Sequence, residues 1–266
     1  MTAFSREELI ARYDRIRRTK LHGRLHEVAV RAVYEALLDE GDSAIDGGAH
    51  SGKHTIPMAN AVGQSGFVLA FEPSPIPHAR LLANLSKSGI DNVRAERLAV
   101  TESLGDSVQF LVFPERPGVS GLRRRTDAAG KLDAEEISVS TTTLDTYSSH
   151  LHRLGFIKLD VEGAELQALY GARRIVETQQ PVIHVEASYI SWSAFNYGPK
   201  ELLEYARKYE YQIVDITGLP MDSEQALDLS FRTPSVWDYL LVPDNDRGEV
   251  TRATLKDHMA AHYKRP

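Results

Sequence analysis

From residue 43 onward, short apolar segments alternate with longer amphipathic ones. This alternation predicts an α/β domain in which helices cover both faces of a sheet whose strands are mostly parallel. The predicted strands are Ser43–Asp46, Phe67–Glu72, Val93–Val100, Phe156–Asp160, Pro181–Glu186, Tyr211–Asp215 and Val236–Val242, of which the last two are expected to pair antiparallel. The predicted helices between them are Lys53–Ala61, Pro77–Ser88, Ala164–Glu177 and Lys200–Tyr209.

Other segments depart from this alternation. Two amphipathic helices, Ser5–Lys20 and Leu25–Leu38, are predicted ahead of the sheet as a cover. Val108–Val112 and Ile137–Thr142 are predicted to form an inserted ribbon, and the polar stretch Pro114–Glu136 between them a mobile loop. The chain therefore divides into an N-terminal helical cover (1–42), a central domain (43–245) and a C-terminal tail (246–266).

Composition excludes several classes of protein. The 266 residues include 31 Lys and Arg and 37 Asp and Glu, and the net charge of −6 argues against a general nucleic-acid binder. Cysteine is absent from the sequence, which excludes disulfides, thiolate metal sites and a cysteine nucleophile. The acidic N-terminal residues are unlike a signal peptide, and no apolar run approaches the roughly 18 residues of a membrane span. We expect a cytoplasmic protein without a membrane segment; oligomerisation stays open.

The first candidate site is the turn Asp46–Gly52, with the sequence Asp-Gly-Gly-Ala-His-Ser-Gly. A strand that ends in Asp and turns through closely spaced glycines into a helix exposes backbone N–H groups to an anionic ligand. The glycine spacing matches neither the dinucleotide fingerprint nor the phosphate-binding loop of ATPases. This turn therefore predicts a cofactor site, but argues against nicotinamide and ATP cofactors.

A second candidate is Glu72, which ends the next predicted strand in the sequence Phe71-Glu72-Pro73. In an open α/β sheet, an acidic residue at this position can accept hydrogen bonds from both hydroxyls of a ribose. An acidic strand end also occurs as a simple helix cap. Its pairing with the preceding turn favours the cofactor interpretation.

Two further strand ends carry ionisable groups. Lys158, Asp160 and Glu162 lie within five residues, where they are candidates for acid–base catalysis or for a structural ion pair. His184 and Glu186 share one face of the following strand. A histidine in a central strand is often a hydrogen-bonded core residue, and that interpretation of His184 is slightly favoured over a catalytic one.

Taken in order, these motifs resemble the FkbM family of S-adenosylmethionine-dependent methyltransferases over residues 43 to 242. The lysine, aspartate and glutamates of the stretch from Ile157 to Glu165 are the most diagnostic part. The residues that carry the resemblance are Asp46–Gly52, Phe71-Glu72-Pro73, Asn84-Leu85, Thr143-Leu144-Asp145, Ile157–Glu165, Gly171-Ala172 and Val185-Glu186.

The resemblance implies a class I methyltransferase fold, a Rossmann-like seven-stranded sheet in the order 3-2-1-4-5-7-6. It also implies O-methylation of a sugar or natural-product small molecule, with S-adenosyl-L-methionine as the methyl donor and a hydroxyl group on the acceptor. By position, Asp46, Gly48, His50 and Gly52 would surround the amino-acid part of the donor, Glu72 the ribose, and Ala99 and Val100 the adenine. Asp160, Glu162, Lys158 and Glu186 would face the acceptor as catalytic residues.

Several alternatives stay open. Mg²⁺ is possible as an activator, with Asp145, Asp160, Glu162 and Glu186 as oxygen ligands, but no specific motif supports it. The pairs His22 with His26 and His50 with His54 have a helical spacing that suits zinc but lack the H-E-x-x-H motif. Arg123–Arg125, Trp192, Phe195 and Tyr197 are possible acceptor contacts. A non-catalytic binding module or, less favoured, a Rossmann-type oxidoreductase are the competing functions.

Overall fold

A computed structural model describes residues 6–17, 22–125, 127, 131–233 and 236–262. Its strands are β1 (Ser43–Gly47), β2 (Phe67–Phe71), β3 (Val93–Glu96), β4 (Ala99–Val100), β5 (Gly105–Val112), β6 (Glu135–Thr142), β7 (Leu154–Leu159), β8 (Val182–Glu186), β9 (Tyr211–Asp215) and β10 (Asp238–Pro243). Its helices are α1 (Arg6–Arg17), α2 (His22–Leu37), α3 (Thr55–Ala61), α4 (Pro75–Lys87), α5 (Glu165–Tyr170), α6 (Arg173–Gln179), α7 (Tyr189–Trp192), α8 (Pro199–Lys208), α9 (Glu224–Phe231) and α10 (Asp246–His262).

The central sheet has the class I methyltransferase arrangement, with mostly parallel strands in the order β3-β2-β1-β7-β8-β10-β9. β10 runs antiparallel to both of its neighbours, as expected for the last pair. The labels differ from the expected 3-2-1-4-5-7-6 because β4, β5 and β6 form a separate small sheet. When the strands of the central sheet alone are counted along the chain, the two orders coincide. The parallel strands are buried on both faces, which explains their continuous apolar runs.

The prediction of one strand over Val93–Val100 is wrong. β3 ends at Glu96, and Ala99–Val100 instead pairs in parallel with Thr141–Thr142 of the small sheet. The small sheet is completed by antiparallel pairing of β5 with β6, which is the predicted ribbon. The chain thus leaves the central sheet beside the predicted cofactor site, and the ribbon is attached there.

The predicted helix Ala164–Glu177 is also divided, into α5 and α6. A Cβ atom at Gly171 would lie 2.2 Å from the carbonyl oxygen of Thr101, so the chain packs too closely there for a side chain. The carboxylate of Asp145 accepts hydrogen bonds from the backbone N–H groups of Arg174 and Ile175 at the start of α6. Asp145 therefore caps a helix, which explains its place in the sequence motif.

The C-terminal segment is not a tail, contrary to prediction. Residues 246–262 form α10, which packs on α2 and on the outer strands of the sheet. Arg247, in the first turn of α10, donates hydrogen bonds to the carbonyl oxygens of Leu154 and Gln179. The N-terminal cover is thus held between the sheet and the last helix. The ends of the predicted helix Ser5–Lys20 lie outside the described residues.

The segment Pro114–Glu136 contains more structure than its polarity suggested. Gly121 forms a β-bridge with Leu111, and Leu111, Phe113 and Val119 form a small apolar core. The predicted mobility of this segment stays a prediction, since residues 126 and 128–130 lie outside the described ranges. Among the helices of the described ranges, none has the length and apolarity needed to cross a bilayer.

Candidate active site

A cavity of about 400 Å³ opens at the carboxyl ends of β1, β2, β7 and β8, the edge where open α/β sheets bind ligands. Two further parts of the chain close the cavity. The segment 114–136 contributes Pro117 and Leu122 to its lining, and α2 contributes His26 and Glu27. The cavity therefore brings together segments that are widely separated in the sequence. Most of the predicted site residues line it: Asp46, Gly48, His50, Glu72, Ala99, Val100, Lys158, Asp160, Glu162 and Glu186.

The turn after β1 is held by its own backbone. The N–H groups of Gly48 and Ala49 both donate to the carbonyl oxygen of Phe71, and Gly52 donates to that of Ala49. Gly48 has a φ of 79°, and a Cβ atom there would lie 1.9 Å from the carbonyl oxygen of Asp160. A residue with a side chain cannot bring this turn so close to β7. The turn is therefore fixed against the strand that carries the candidate catalytic groups.

Gly52 differs from the other predicted cofactor residues because it does not line the cavity. It has a φ of 87°, and a Cβ atom there would lie 2.8 Å from the side chain of Leu81. Its role is to let the turn pack against α4. Spacing alone could not separate this packing glycine from Gly48, which does line the cavity.

Glu72 is buried next to the turn, and its carboxylate oxygens each accept a backbone hydrogen bond of 2.9 Å, one from His50 and one from Ser74. Burial raises the pKa of Glu72 to about 7, although the two hydrogen bonds oppose this shift. Each carboxylate oxygen retains a lone pair, so an ionised Glu72 can accept further hydrogen bonds from a ligand. Glu72 thus combines the predicted position with the capacity to bind hydroxyl groups.

Lys158 forms the centre of a buried ion-pair cluster. Its Nζ lies 3.5 Å from Oδ1 of Asp46 and 3.2 Å from Oδ2 of Asp160. Burial by itself would lower the pKa of Lys158, but the carboxylates of Asp160 and Asp46 outweigh it and the pKa is raised. Burial would likewise raise the pKa of Asp160, but Lys158 outweighs it and the pKa is lowered. Lys158 is therefore a fixed cation, and Asp160 an ionised acid of low basicity.

Two further carboxyl groups surround Asp160. The Glu186 carboxyl shares a hydrogen bond with Asp160, and burial together with the charge of Asp160 raises the pKa of Glu186 well above its ordinary value. Burial and the same charge raise the pKa of Glu162 to about 8, against the lowering effect of Arg125, whose Nη1 lies 2.6 Å from Glu162 Oε2. Near neutral pH this side of the cavity therefore offers both hydrogen-bond donors and acceptors.

The glutamate at the end of the diagnostic stretch, Glu165, has a structural role. It accepts hydrogen bonds from the N–H groups of Val161 and Gly163 and from Nε1 of Trp192, at 2.9, 3.2 and 2.8 Å. These bonds shape the loop that presents Glu162, which has a φ of 55°. Trp192 is fully buried, so of its two possible roles, acceptor contact and core residue, the structure favours the core.

The other candidate acceptor contacts lie around the ribbon. The guanidinium of Arg123 lies over the ring of Phe195, which stacks on Tyr197, whereas Arg124 lies over Phe113. None of these residues lines the cavity. In the arginine triplet, the charge of Arg125 is paired with Glu162 at the cavity edge, which the sequence alone could not distinguish from a solvated run of charge.

In the part of the chain that the structure describes, neither histidine pair is seen to form a metal site. The side chain of His22 lies outside the described part of the chain, and Nδ1 of His26 lies 2.5 Å from Asp238 Oδ2. His54 accepts or donates a hydrogen bond of 3.3 Å with Tyr34, and burial together with Lys158 lowers its pKa to about 4. Within the described ranges, no three His, Asp or Glu side chains are placed to share a metal ion.

Among the cavity residues that were not predicted as acceptor or donor contacts, His26, Trp237 and Asp238 lie close together. They come from α2 and from the start of β10, which lie before and after the motifs in the sequence. His184, for which a core role was slightly favoured, lines the cavity as well, with Nε2 2.6 Å from Asp238 Oδ1. Nothing in the spacing of these residues signals their contact, since it arises only when the cover packs on the sheet.

Comparison with known proteins is consistent with this geometry. The family model described as the methyltransferase FkbM domain matches residues 46–213, well over half of the chain. The chain is 28% identical to Methyltransferase sdnD of Sordaria araneosa over 182 residues, which cover 55% of this chain and 70% of that protein. It is 26% identical to Methyltransferase 1 of Beauveria bassiana over 162 residues, 54% of this chain and 64% of that protein.

A solved structure, methyltransferase FkbM from Methylobacillus flagellatus KT, is similar to the chain at 17% identity, with a TM-score of 0.47. The similarity covers 78% of this chain and 47% of that one, so the chain spans about half the length of that relative.

Proposed function

The chain belongs to the FkbM methyltransferase family, and we propose that it transfers a methyl group from S-adenosylmethionine to a hydroxyl oxygen of a sugar or natural-product small molecule. The observation that carries this proposal is the meeting, in one cavity, of the Gly48 turn, the Glu72 carboxylate and the carboxyl cluster around Asp160. The first two groups suit the methyl donor, and the third suits a hydroxylated acceptor.

The side of the cavity that holds the Gly48 turn and Glu72, here called the donor half, fits the methyl donor. Asp46 Oδ1 is buried without a hydrogen bond within the described residues, which leaves an acceptor for the donor's ammonium group. Gly48 and His50 would border the amino-acid part, Glu72 the ribose hydroxyls, and Ala99 and Val100 the adenine. When bound, S-adenosylmethionine supplies a methyl carbon attached to a sulfonium, a leaving group that needs no protonation.

The other side of the cavity, here called the acceptor half, holds Lys158 and the carboxyl groups around it. Its residues would bind and orient the acceptor. Asp160 is held ionised by Lys158 and would place a fixed negative charge near the sulfonium. Glu162 would donate or accept a hydrogen bond, and Glu186, whose proton is shared with Asp160, would accept one, so that a hydroxyl group is held in line with the methyl carbon. A hydroxyl at neutral pH must also lose its proton during transfer, which requires a base.

The two competing functions are less well supported. An oxidoreductase would need a nicotinamide site, and the turn after β1 lacks the required glycine spacing. A non-catalytic module would have no need of the ionisable groups buried at the acceptor side, because burying charge destabilises a fold unless it is compensated.

The test begins with calorimetry of S-adenosylmethionine against NAD, where binding of the first alone is expected. Incubation with methyl-labelled donor and a panel of methyl glycosides, simple alcohols and matching amines then follows. Labelled methyl ethers and release of S-adenosylhomocysteine support the proposal, whereas methylated amines alone or binding without turnover would contradict it. A parallel series with EDTA, then Mg²⁺, shows whether a cation is required.

A further inference from the structure

Asp238 bridges two buried imidazoles at the cavity wall. Its Oδ2 lies 2.5 Å from Nδ1 of His26, and its Oδ1 lies 2.6 Å from Nε2 of His184. All three residues are at least nine-tenths buried, and all three line the cavity. The His26 ring is also stacked on Trp237, with a centroid separation of 4.2 Å and an interplanar angle of 11°. The geometry of the cluster is therefore fixed on several sides.

The pairing of β8 with β10 does not depend on this cluster. Backbone hydrogen bonds pair β8 with β10 along their length, so Asp238 is not needed to join the strands. His26 and Asp238 also lie outside residues 46–213, the part of the chain that matches the family domain. The cluster thus depends on the helical cover and the last strand of this chain, and only His184 lies in the part that matches the family domain.

The hydrogen bonds determine which nitrogen of His184 can act as a base. Burial would raise the pKa of Asp238, but the hydrogen bonds from His184 and His26 outweigh it and the pKa is lowered, so the carboxylate is ionised. An ionised carboxylate can only accept, so Nε2 of His184 carries the proton and donates it to Asp238. Nδ1 of the same ring is buried without a hydrogen-bond partner within the described residues. The ring therefore holds an unused lone pair, while the carboxylate stabilises the imidazolium.

The acidic residues at the cavity are less suitable as the base. Asp160 is tied to Lys158, the Glu186 carboxyl shares its hydrogen bond with Asp160, and Glu162 is paired with Arg125. The charged and titratable groups around His184 come from several elements: His26 on α2, Asp46 on β1, His54 before α3, Lys158 on β7, Asp160 directly after β7, Glu186 on β8 and Asp238 on β10. Among the described residues that line the cavity, His184 combines an ionised hydrogen-bond partner with a ring nitrogen that has none.

We propose that His184 is the general base that accepts the acceptor's hydroxyl proton, and that Asp238 and His26 are positioning residues that fix its tautomer. This proposal rests on the proposed function. As the acceptor oxygen bonds to the methyl carbon, the carbon–sulfur bond breaks and its electron pair stays on sulfur. The hydroxyl proton passes to Nδ1 of His184, and the resulting imidazolium is neutralised by Asp238. The proton leaves to solvent after the product departs.

The first test needs no acceptor. Imidazole ¹⁵N spectra of the full-length protein, with and without S-adenosylhomocysteine, report the tautomer of each ring as a function of pH. We expect His184 to carry its proton on Nε2 at neutral pH. Asp238→Asn should remove this preference between the two ring nitrogens, because the ionised acceptor that selects Nε2 is gone. A proton on Nδ1 at neutral pH, or a tautomer unchanged by Asp238→Asn, would overturn the proposal.

The second test uses the methyl glycoside that gives the fastest turnover in the panel. His184→Gln should lower kcat/KM by about 10²–10⁴ and remove the acid limb of its pH profile, while S-adenosylhomocysteine binds within a few-fold of wild type. Asp238→Asn should lower kcat/KM as well, and its pH profile should differ from that of the wild type. His258→Gln replaces a buried imidazole on α10 that does not line the cavity, and it should retain turnover.

The outcomes separate the two proposals. If the wild type turns over and His184→Gln does so equally well, the inference about the base is wrong and the proposed function stands. If the wild type binds the donor but methylates no panel member, the proposed function is in question, and the imidazole titration still decides whether His184 has the properties of a base.

Discussion

The two halves of the cavity are built in different ways. In the donor half, the Gly48 turn and Glu72 come from adjacent strands and are held mainly by backbone hydrogen bonds. In the acceptor half, side chains from distant elements hold one another, as in the pairs of Arg125 with Glu162 and His26 with Asp238. The donor half is thus a local structure, whereas the acceptor half exists only once the cover, the ribbon and the last strand have packed.

This difference has an energetic consequence. A turn that is held by backbone hydrogen bonds loses little stability when one side chain is changed, unless the new side chain fills space that the turn needs. The removal of one partner of a desolvated charge pair costs much more stability, because the other charge is left uncompensated. The donor half should therefore tolerate most polar substitutions, and the acceptor half should tolerate few.

The largest effect is expected where the two halves touch, at Gly48. In Gly48→Ala the new Cβ would have to displace the Asp160 carbonyl, 1.9 Å away, and the residue would be held at a positive φ. Strain at this φ costs about 1–2 kcal/mol and overpacking about 1–3 kcal/mol, so the free energy of unfolding should fall by about 2–5 kcal/mol. Urea denaturation measures this loss, and binding of S-adenosylhomocysteine should be lost with it.

Gly89→Ala is the matched control. Gly89 has a φ of 65° at the end of α4, but a Cβ atom there would meet nothing within 4 Å. The substitution therefore carries the strain of the positive φ alone, about 1–2 kcal/mol. If Gly48→Ala were no more destabilising than Gly89→Ala, the close contact between the turn and β7 would not be a constraint on the site.

The same division explains what the sequence could predict. Strand and helix periodicity, the glycine turn and the acid at the end of β2 are local patterns, and the structure contains all of them. The boundary at Glu96 was missed because Ala99–Val100 is as apolar as a continuing strand, and only the ribbon provides the alternative partner. The segment 246–262 lacks a strong apolar face, so its helix could not be distinguished from a tail.

The acceptor half was predictable only in part. The diagnostic stretch located Lys158, Asp160 and Glu162, but it did not reveal that Glu165 shapes the loop instead of facing the cavity. His26 and Asp238 could not be paired from sequence, because a contact between two single residues on remote elements leaves no periodicity. Such contacts are determined by tertiary packing.

The next effect is the pH dependence of donor binding through Glu72. The pKa of this carboxyl is about 7 in the ligand-free protein, and in the proposed donor site the ionised form would accept hydrogen bonds from two ribose hydroxyls. Affinity for S-adenosylhomocysteine should therefore rise with pH up to about 7 and level off above it. Below pH 7, each unit weakens binding by up to about 1.4 kcal/mol. Calorimetry between pH 5.5 and 8.5 measures this slope.

Glu72→Gln should weaken binding at pH 8 by about 1–3 kcal/mol and remove the slope, because the amide does not titrate and has one acceptor oxygen. Glu96→Gln is the control, since Glu96 ends the neighbouring strand but does not line the cavity. A flat profile for the wild type, or a slope that persists in Glu72→Gln, would remove Glu72 from the ribose site.

A smaller effect is expected at the ion pair between the segment 114–136 and the acceptor half. Arg125→Gln removes the ion pair with Glu162, a contact in which the two side chains are 15% and 12% exposed. The loss is expected to be only about 1 kcal/mol, because Glu162, whose pKa is already raised, can take up a proton instead of staying an uncompensated charge, and it should favour opening of the segment 114–136. Limited proteolysis with an enzyme that does not require arginine should cut there several-fold faster.

Arg116→Gln, an exposed arginine of the same segment, controls for the change of charge and should leave the cutting rate unchanged. Donor and acceptor together should slow cutting of the wild type, and slow it less in Arg125→Gln. Equal cutting of the wild type with and without both ligands would show that the segment is not a lid over the acceptor.

The smallest effect is expected from a substitution that changes the donor half and leaves the acceptor half unchanged. Asn84, part of the family motif, donates a hydrogen bond of 2.8 Å from Nδ2 to the carbonyl oxygen of Ser51 and so supports the turn from α4. Asn84→Ala should weaken S-adenosylhomocysteine binding by about 0.5–1.5 kcal/mol and leave the titration of His184 unchanged, because the acceptor half does not depend on this bond. Asn92→Ala removes a comparable amide that bonds to the carbonyl oxygens of Ala59 and Gly63 away from the cavity, so it should lower stability without lowering affinity. A change in the His184 titration on Asn84→Ala would show instead that the two halves are coupled through the Gly48 turn.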